Sequence, residues 1–202
     1  MAQADRLGWR QSLARSVVRL SGGRIVRRLH ADETGATAVE FGIIALPFFA
    51  ILFGIIETGM VFLAGLVLDN ATTQASREIF TGQAQTQNLT KEQFKEKICA
   101  NVLALLDCAN GVIIDVQSSL TEIPKLTSPK DADGNFTATG DTWDPGVKNS
   151  YVVVRALYQY PILISGIGPI DFRLDDLAGG KRLLVSTIVF RNEPYAAPSQ
   201  AQ

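Results

Sequence analysis

The chain has 202 residues, enough for one domain of ordinary size with an anchoring segment and too few for a large multidomain enzyme. Its 19 basic and 20 acidic residues nearly cancel, and this balance argues against a nucleic-acid partner. Residues 1–35 differ from the rest, because they contain seven arginines, no lysine and only three acidic residues. We therefore expect them to form a cationic leader.

The leader also contains apolar residues at helical spacing. Two interpretations fit it equally well, a short amphipathic helix on a membrane surface and a disordered segment. The apolar residues concerned are Leu13, Val17, Val18 and Leu20.

Residues 41–68 form an apolar run of 28 residues in which Glu57 is the only charged side chain. An α-helix of this length reaches about 42 Å, whereas the hydrocarbon core of a bilayer is about 30 Å thick. A core helix of a globular protein would carry a polar stripe, which this run lacks. The pattern predicts one transmembrane segment within a continuous helix over residues 36–82, with Gly82 as its stop signal.

A cleaved secretory signal is the competing interpretation of this run. Such a signal has a short basic region and an apolar stretch of about 7–15 residues. Here the basic region is 35 residues long and the apolar run is about twice too long. Because the arginines precede the run, they predict a single-pass inner-membrane protein with a cytoplasmic N-terminus and a periplasmic C-terminal region.

The region after the first helix predicts a small α+β domain. Residues 90–107 fit a second helix, since Thr90 and Gln93 have the spacing of a capping box. Residues 112–120, 151–162 and 182–191 are rich in β-branched and aromatic residues and predict strands of an antiparallel sheet. The predicted organisation is a leader (1–35), a transmembrane and juxtamembrane helix (36–82) and an exported α+β domain (83–202).

The two cysteines, Cys99 and Cys108, would both lie in an oxidising compartment, which favours a disulfide. Nine positions along an unbroken helix would separate their α-carbons by about 13 Å, although a bridge needs less than about 7 Å. Two alternatives therefore stay open. Either the helix breaks near residues 104–107, or the two thiols are buried and free.

No pattern in the sequence predicts catalysis or a cofactor. The single histidine, His30, lies in the leader, so the exported region has no histidine for a nucleophile or general base. Asp131, Asp133 and Asn135 resemble the start of a calcium loop, but Thr142 occupies the position of the bidentate glutamate. We expect a solvated turn there, with no metal site, and a protein that is not an enzyme.

The stretch GATAVEF, residues 35–41, stands between the leader and the apolar run. A glycine followed five residues later by a glutamate and an aromatic, ahead of such a run, resembles the processing site of type IV prepilins. The stretch from Thr34 to Arg77 resembles the TadE-like family of pseudopilins from tight-adherence pilus systems. The residues that carry this resemblance are Gly35, Ala36, Glu40, Phe41, Leu46, Pro47, the segment 54–59, Ala71, Ala75, Arg77 and the C-terminal segment 190–195.

The resemblance implies cleavage between Gly35 and Ala36 by a prepilin peptidase. Glu40 would become the fifth residue of the mature chain, close to a newly created α-amino group. A glutamate at the edge of hydrocarbon is costly unless it is paired, so this cation would favour one register of packing between subunits. Alternatively, Glu40 extends to the lipid headgroups without such a partner.

A second assembly surface is predicted around Glu57, because an intramembrane carboxylate is a functional-site candidate. Ala50, Gly54 and Thr58 form an adjacent stripe of small residues that permits close helix approach. We expect this face to pack on another pilin or on an inner-membrane assembly protein. The alternative is a protonated Glu57 bonded within its own helix.

The resemblance implies a minor pilin used in assembling a fibre for adhesion and biofilm formation. Shaft-forming pilins of these systems are very short, whereas the exported region here exceeds 100 residues. The alternative function is an uncleaved single-pass envelope protein with a periplasmic ligand-binding or sensing domain.

Overall fold

The computed structural model describes residues 33–102, 106–137, 141–163, 166–167, 170–171 and 174–195. The amphipathic helix considered for the leader falls outside these residues. The chain divides into two compact units, Met1–Phe49 and Ala50–Gln202. Within the described residues, one helix is long and apolar enough to cross a membrane, and only 11% of its most apolar window is buried.

The long helix, α1, spans Glu33–Phe80 and begins three residues before the predicted start. It continues through Pro47, which has no N–H to donate to the carbonyl of Ile43. Its end matches the expected stop signal, because Gly82 adopts a left-handed conformation with φ of 79°. A one-turn helix, α2, follows at Gln83–Thr86.

The second predicted helix is present but shorter than expected. Helix α3 spans Lys91–Ala100, and Thr90 and Gln93 form the predicted capping box. The prediction that it continues to residue 107 is wrong, since the helix ends seven residues earlier and a separate turn, α4, spans Cys108–Gly111. Residues 103–105 lie outside the described part of the chain. The α-carbons of Cys99 and Cys108 lie 5.5 Å apart, and the two cysteines are disulfide-bonded.

The three predicted strands form one antiparallel sheet, which confirms the α+β class. Strands β1 (Val112–Ser119) and β2 (Tyr151–Pro161) pair, and β2 also pairs with β5 (Lys181–Arg191), giving the order β1-β2-β5. Two short strands, β3 (Gly166–Ile167) and β4 (Ile170–Asp171), form a separate hairpin. These three strand pairings are antiparallel.

One face of this sheet packs against the C-terminal half of α1. Because side chains alternate along a strand, the even-numbered residues of β1 and β2 lie on this face. The small residues Ala64, Ala71 and Ala75 of α1 are all buried in the shared core. The other core residues from α1 and the two strands are Leu68, Ile79, Val112, Ile114, Val116, Val152, Val154, Ala156, Tyr158 and Tyr160.

Candidate assembly and processing site

The apolar side chains in the first part of α1 are exposed to an unusual degree. Phe41 is 71% exposed and Ile43 is 70% exposed. Exposed positions follow one another closely along this part of the helix. They are Val39, Phe41, Ile43, Ile44, Leu46, Phe48, Phe49, Ile51, Leu52, Phe53, Ile55 and Ile56. Water contact with so much apolar surface is unfavourable by about 25 cal/mol per Å², so this surface needs lipid or other helices around it.

The expected processing junction lies in the first turn of α1. Gly35 is the third residue of the helix and Ala36 the fourth. The first four N–H groups of a helix have no intrahelical acceptor, so opening this turn breaks few hydrogen bonds. A Cβ placed on Gly35 would meet no atom within 4 Å, so the chain itself has room for a side chain there. Glu40 and Phe41 lie just beyond and are exposed.

Glu57 is buried against its own chain, with 6% of its surface exposed. Its Oε1 atom accepts a hydrogen bond of 3.0 Å from the backbone N–H of Leu163. Burial raises the pKa of Tyr160, and the nearby Glu57 carboxylate raises it further. The sequence did not indicate this partner, because Leu163 contributes a backbone group.

The small residues next to Glu57 lie in the same covered region. Ala50 and Gly54 are buried, and the half-buried Thr58 donates its hydroxyl to the carbonyl of Gly54 at 2.8 Å. A groove of about 390 Å³ runs beside them, lined by Ile51, Gly54, Ile55, Thr58 and Leu174. Packing of this face on another protein stays a prediction. In this structure much of it is already in contact with residues of the same chain.

A second groove of about 510 Å³ lies farther along α1, between the helix and the start of β5. Phe62, Gly65 and Leu66 form its helical wall, and Arg182 and Val185 belong to its other wall. Asp69 stands at this groove and accepts a hydrogen bond of 2.8 Å from the hydroxyl of Ser186. This bond joins a residue of α1 to a residue of β5 that lies 117 positions later in the sequence.

The C-terminal segment 190–195 closes around the end of α1. The ring of Phe190 lies edge-to-face against Phe80, with centroids 5.8 Å apart. The N–H of Glu193 donates to the carbonyl of Phe80 at 3.0 Å, which satisfies a carbonyl that the helix end leaves without an intrahelical donor. The ring of Tyr195 lies against Gly82, in the space that a side chain there would need. This segment therefore holds the end of the long helix on the sheet.

Residues 35–77 match the family model of TadE-like proteins. The matched segment begins at the expected processing junction and ends one turn before the helix does. It includes both the exposed apolar part of α1 and the small residues that pack on the sheet. The resemblance stated from the sequence is confirmed for this segment, which indicates involvement in tight-adherence pilus systems, whose TadE-like proteins are structural or assembly proteins. No curated protein and no solved structure matches the chain.

The remaining predicted positions lie away from the TadE-like segment. The disulfide of Cys99 and Cys108 ties the end of α3 to α4, on the side of the core that contains Phe94 and Ile98. Within the described residues, no group of three or more His, Cys, Asp or Glu side chains is placed to hold a metal ion. Asp131 instead accepts hydrogen bonds from the backbone and side chain of Asn135, which lower the pKa of its carboxyl.

Proposed function

We propose that this protein is a minor pilin of a tight-adherence pilus, anchored by α1 and trimmed between Gly35 and Ala36 by a prepilin peptidase. Its leader would stay in the cytoplasm and its α+β region would lie in the periplasm or on the fibre surface. The fibre would serve attachment to surfaces and biofilm formation. The partners in this proposal are the membrane, the peptidase, other pilins and inner-membrane assembly proteins.

The observation that carries the proposal is the exposed apolar surface of α1 within the TadE-like segment. Such a surface is stable in a bilayer, and it is equally suited to a bundle of similar helices. A subunit with this surface can move from lipid into a fibre without exposing its apolar side chains to water. In the fibre, neighbouring helices would contact the apolar side chains of α1 that lipid contacts in the membrane.

Glu40 has a defined role in the proposed assembly step. Cleavage creates an α-amino group at Ala36, four positions before Glu40, and a neighbouring subunit can present the same cation across the helix interface. Attraction between opposite charges is strong where water is excluded, and an unpaired carboxylate there is costly. Subunits would therefore add in the register that pairs these two charges. The trimming step would switch assembly on.

N-terminal sequencing and intact-mass measurement of the membrane-extracted protein test this proposal. The full chain is expressed with and without an active prepilin peptidase. We expect a chain that begins at Ala36 only when the peptidase is present. Sheared surface fibres are then tested for the same mature chain. A chain that keeps its leader in the presence of the peptidase would contradict the proposal and favour an uncleaved envelope protein.

A further inference from the structure

The groove of about 510 Å³ between α1 and the start of β5 (the α1–β5 groove) has apolar walls that are open to the outside. On the helical wall Phe62 is 70% exposed and Leu66 is 60% exposed, and Val185 of β5 is half-exposed. Phe62 and Leu66 belong to the apolar run 41–68. Because exposed apolar surface is unfavourable in water, the groove opens where α1 itself requires an apolar environment.

One positive charge lines the α1–β5 groove, on Arg182 of β5. Its Nη1 atom donates to the carbonyl of Leu174 at 3.1 Å, which anchors the half-buried side chain. Arg182 forms no ion pair with a carboxylate of the described residues, and the nearby Asp176 instead accepts from the N–H of Leu183 at 2.8 Å. A guanidinium group has five N–H donors, so Arg182 keeps donors for a phosphate group.

One negative charge lines the same groove, on Asp69, which directly follows the apolar run 41–68. Its Oδ1 atom accepts the hydroxyl of Ser186 at 2.8 Å. In the part of the chain that the structure describes, Asp69 forms no ion pair with Arg182 or with any other cation. A molecule that carries both an anionic and a cationic group can therefore interact with both side chains.

We propose that the α1–β5 groove binds one phospholipid with an amine headgroup, of the phosphatidylethanolamine class. Arg182 binds its phosphate, and Asp69 binds its ammonium group. Its acyl chain lies along the apolar walls formed by Phe62, Leu66 and Val185. The groove volume lies within the range of about 300–1,000 Å³ that is usual for small-molecule sites.

The charges of the groove favour a lipid over a helix of a second copy. The exposed apolar part of α1 that a second copy would offer, residues 41–56, has no charged side chain. Such a helix would cover the apolar walls but would leave Arg182 and Asp69 without partners of opposite charge. The inference rests on one part of the proposed function, the placement of α1 in a membrane. It does not require cleavage or fibre assembly.

Native mass spectrometry of the full chain in detergent tests this site. The chain is mixed with phosphatidylethanolamine or with phosphatidylglycerol of the same acyl chains, so that the two lipids differ only in the headgroup. We expect one phosphatidylethanolamine to bind saturably and about tenfold more tightly than phosphatidylglycerol, which has no ammonium group for Asp69. Equal affinities for the two lipids, or uptake that grows without saturation, would overturn the site.

Two glycines of α1 provide a variant that fills the groove and its matched control. A Cβ at Gly65 or at Gly59 would meet no atom within 4 Å, but of the two only Gly65 lines the groove. Leucine has a higher helix propensity than glycine, so both substitutions suit the helix. Gly65→Leu should abolish lipid binding, whereas Gly59→Leu should bind lipid like the unsubstituted chain. Unchanged binding in Gly65→Leu would refute the site.

Two arginines of β5 isolate the contribution of the charge. Arg182 and Arg191 each donate to a backbone carbonyl, but Arg191 does not line the groove. Arg182→Gln should weaken phosphatidylethanolamine binding about tenfold, and Arg191→Gln should leave it unchanged. Asp69→Asn should remove the preference for phosphatidylethanolamine over phosphatidylglycerol. Full affinity in Arg182→Gln, or a preserved preference in Asp69→Asn, would contradict the proposed contacts.

Carbonate extraction of membranes that contain the full chain distinguishes a failure of this site from a failure of the proposed function. If the chain stays in the membrane but binds no lipid in the groove, only the lipid site is refuted. If carbonate releases the chain, the site and the proposed anchor both fail. A dimer that forms without lipid and is lost in Gly65→Leu would assign the groove to a second copy and overturn the site. Lipid binding by a chain that is never trimmed would refute the pilin and leave the site supported.

Discussion

The guanidinium group of Arg155 lies 2.8 Å from the carboxylate of Asp115, across the pairing of β1 and β2. Both side chains are almost fully buried, with exposed fractions of 3% and 0%. Arg155 also donates to the carbonyl of Thr127 at 2.7 Å, and Gln117 donates to the Asp115 carboxylate. The pair lies on the face of the sheet opposite to α1, where it holds the connecting segment after β1.

Removing one member of this pair should strongly destabilise the protein. We expect Asp115→Ala to lower the free energy of unfolding by about 3–5 kcal/mol, because it leaves a buried cation without its carboxylate. Denaturant unfolding of the full chain in detergent, followed by circular dichroism, measures the change. Glu78→Ala is the matched control, since it removes a more exposed partner of Lys97 and should cost at most about 1 kcal/mol. If the two variants lose the same free energy of unfolding, burial of the ion pair does not set the cost of breaking it.

The bond between Glu57 and Leu163 predicts a different result for two substitutions at one position. Glu57→Ala removes the acceptor and should lower the free energy of unfolding by about 2 kcal/mol, whereas Glu57→Gln keeps an acceptor oxygen and should cost less than about 1 kcal/mol. The exposed Glu96→Ala serves as control and should stay within about 0.5 kcal/mol. The same unfolding measurement applies.

Measuring fibre assembly in the Glu57 variants distinguishes the contact that Glu57 makes within its own chain from its expected role between subunits. If Glu57 acts only within its own chain, Glu57→Gln should assemble normally. A loss of fibres in Glu57→Gln, at unchanged stability, would show that another protein recognises the carboxylate. If Glu57→Ala is as stable as the unsubstituted chain, the bond to Leu163 contributes nothing.

The contact of Tyr195 with Gly82 can be isolated by comparing two glycines with similar backbones. Gly82 has φ of 79° and Gly179 has φ of 88°, but a Cβ at Gly179 would meet nothing within 4 Å. Gly179→Ala should therefore cost about 1–2 kcal/mol from backbone strain alone. Gly82→Ala should cost about 1–3 kcal/mol more, because its Cβ overlaps the Tyr195 ring.

Thermal unfolding of the two glycine variants in detergent measures this difference. The excess cost of Gly82→Ala should disappear when Tyr195→Gly is added, because both the ring and the Cβ of Tyr195 that the new side chain would meet are then gone. A persistent excess in that background would refute the assignment of the strain to Tyr195.

The sequence predicted the elements of this fold better than their contacts. The three strands alternate and are bounded by turn residues, so their positions followed from local pattern. The end of α3 could not be predicted from the pattern. Leu106 is apolar and buried in the core, and an apolar residue at this position fits a turn as well as a helix. The partners of Glu57 and Phe80 are backbone N–H groups from distant segments, which no side-chain pattern reveals. A charged residue in the middle of each of two apolar strands was the available signal for Asp115 and Arg155.

Processing and assembly should respond differently to substitutions at Gly35 and Glu40. Gly35→Leu should block cleavage, and the fault would lie in recognition by the peptidase, because the chain has open space around Gly35 and helix propensity favours leucine over glycine. Glu40→Ala should allow at least some cleavage but impair fibre formation, since the new α-amino group loses its carboxylate partner. Immunoblots for the mature chain and yields of sheared fibres measure the two steps separately.

Gly42→Leu provides the matched control for these variants, because Gly42 also has open space around it and lies outside the stretch from Gly35 to Phe41. It should be cleaved like the unsubstituted chain. A Gly35→Leu chain that is trimmed normally, or a Glu40→Ala chain that assembles fully, would remove the role proposed for that residue. If the Gly42→Leu chain also stays uncleaved, the block reflects helix formation near the junction rather than recognition of Gly35.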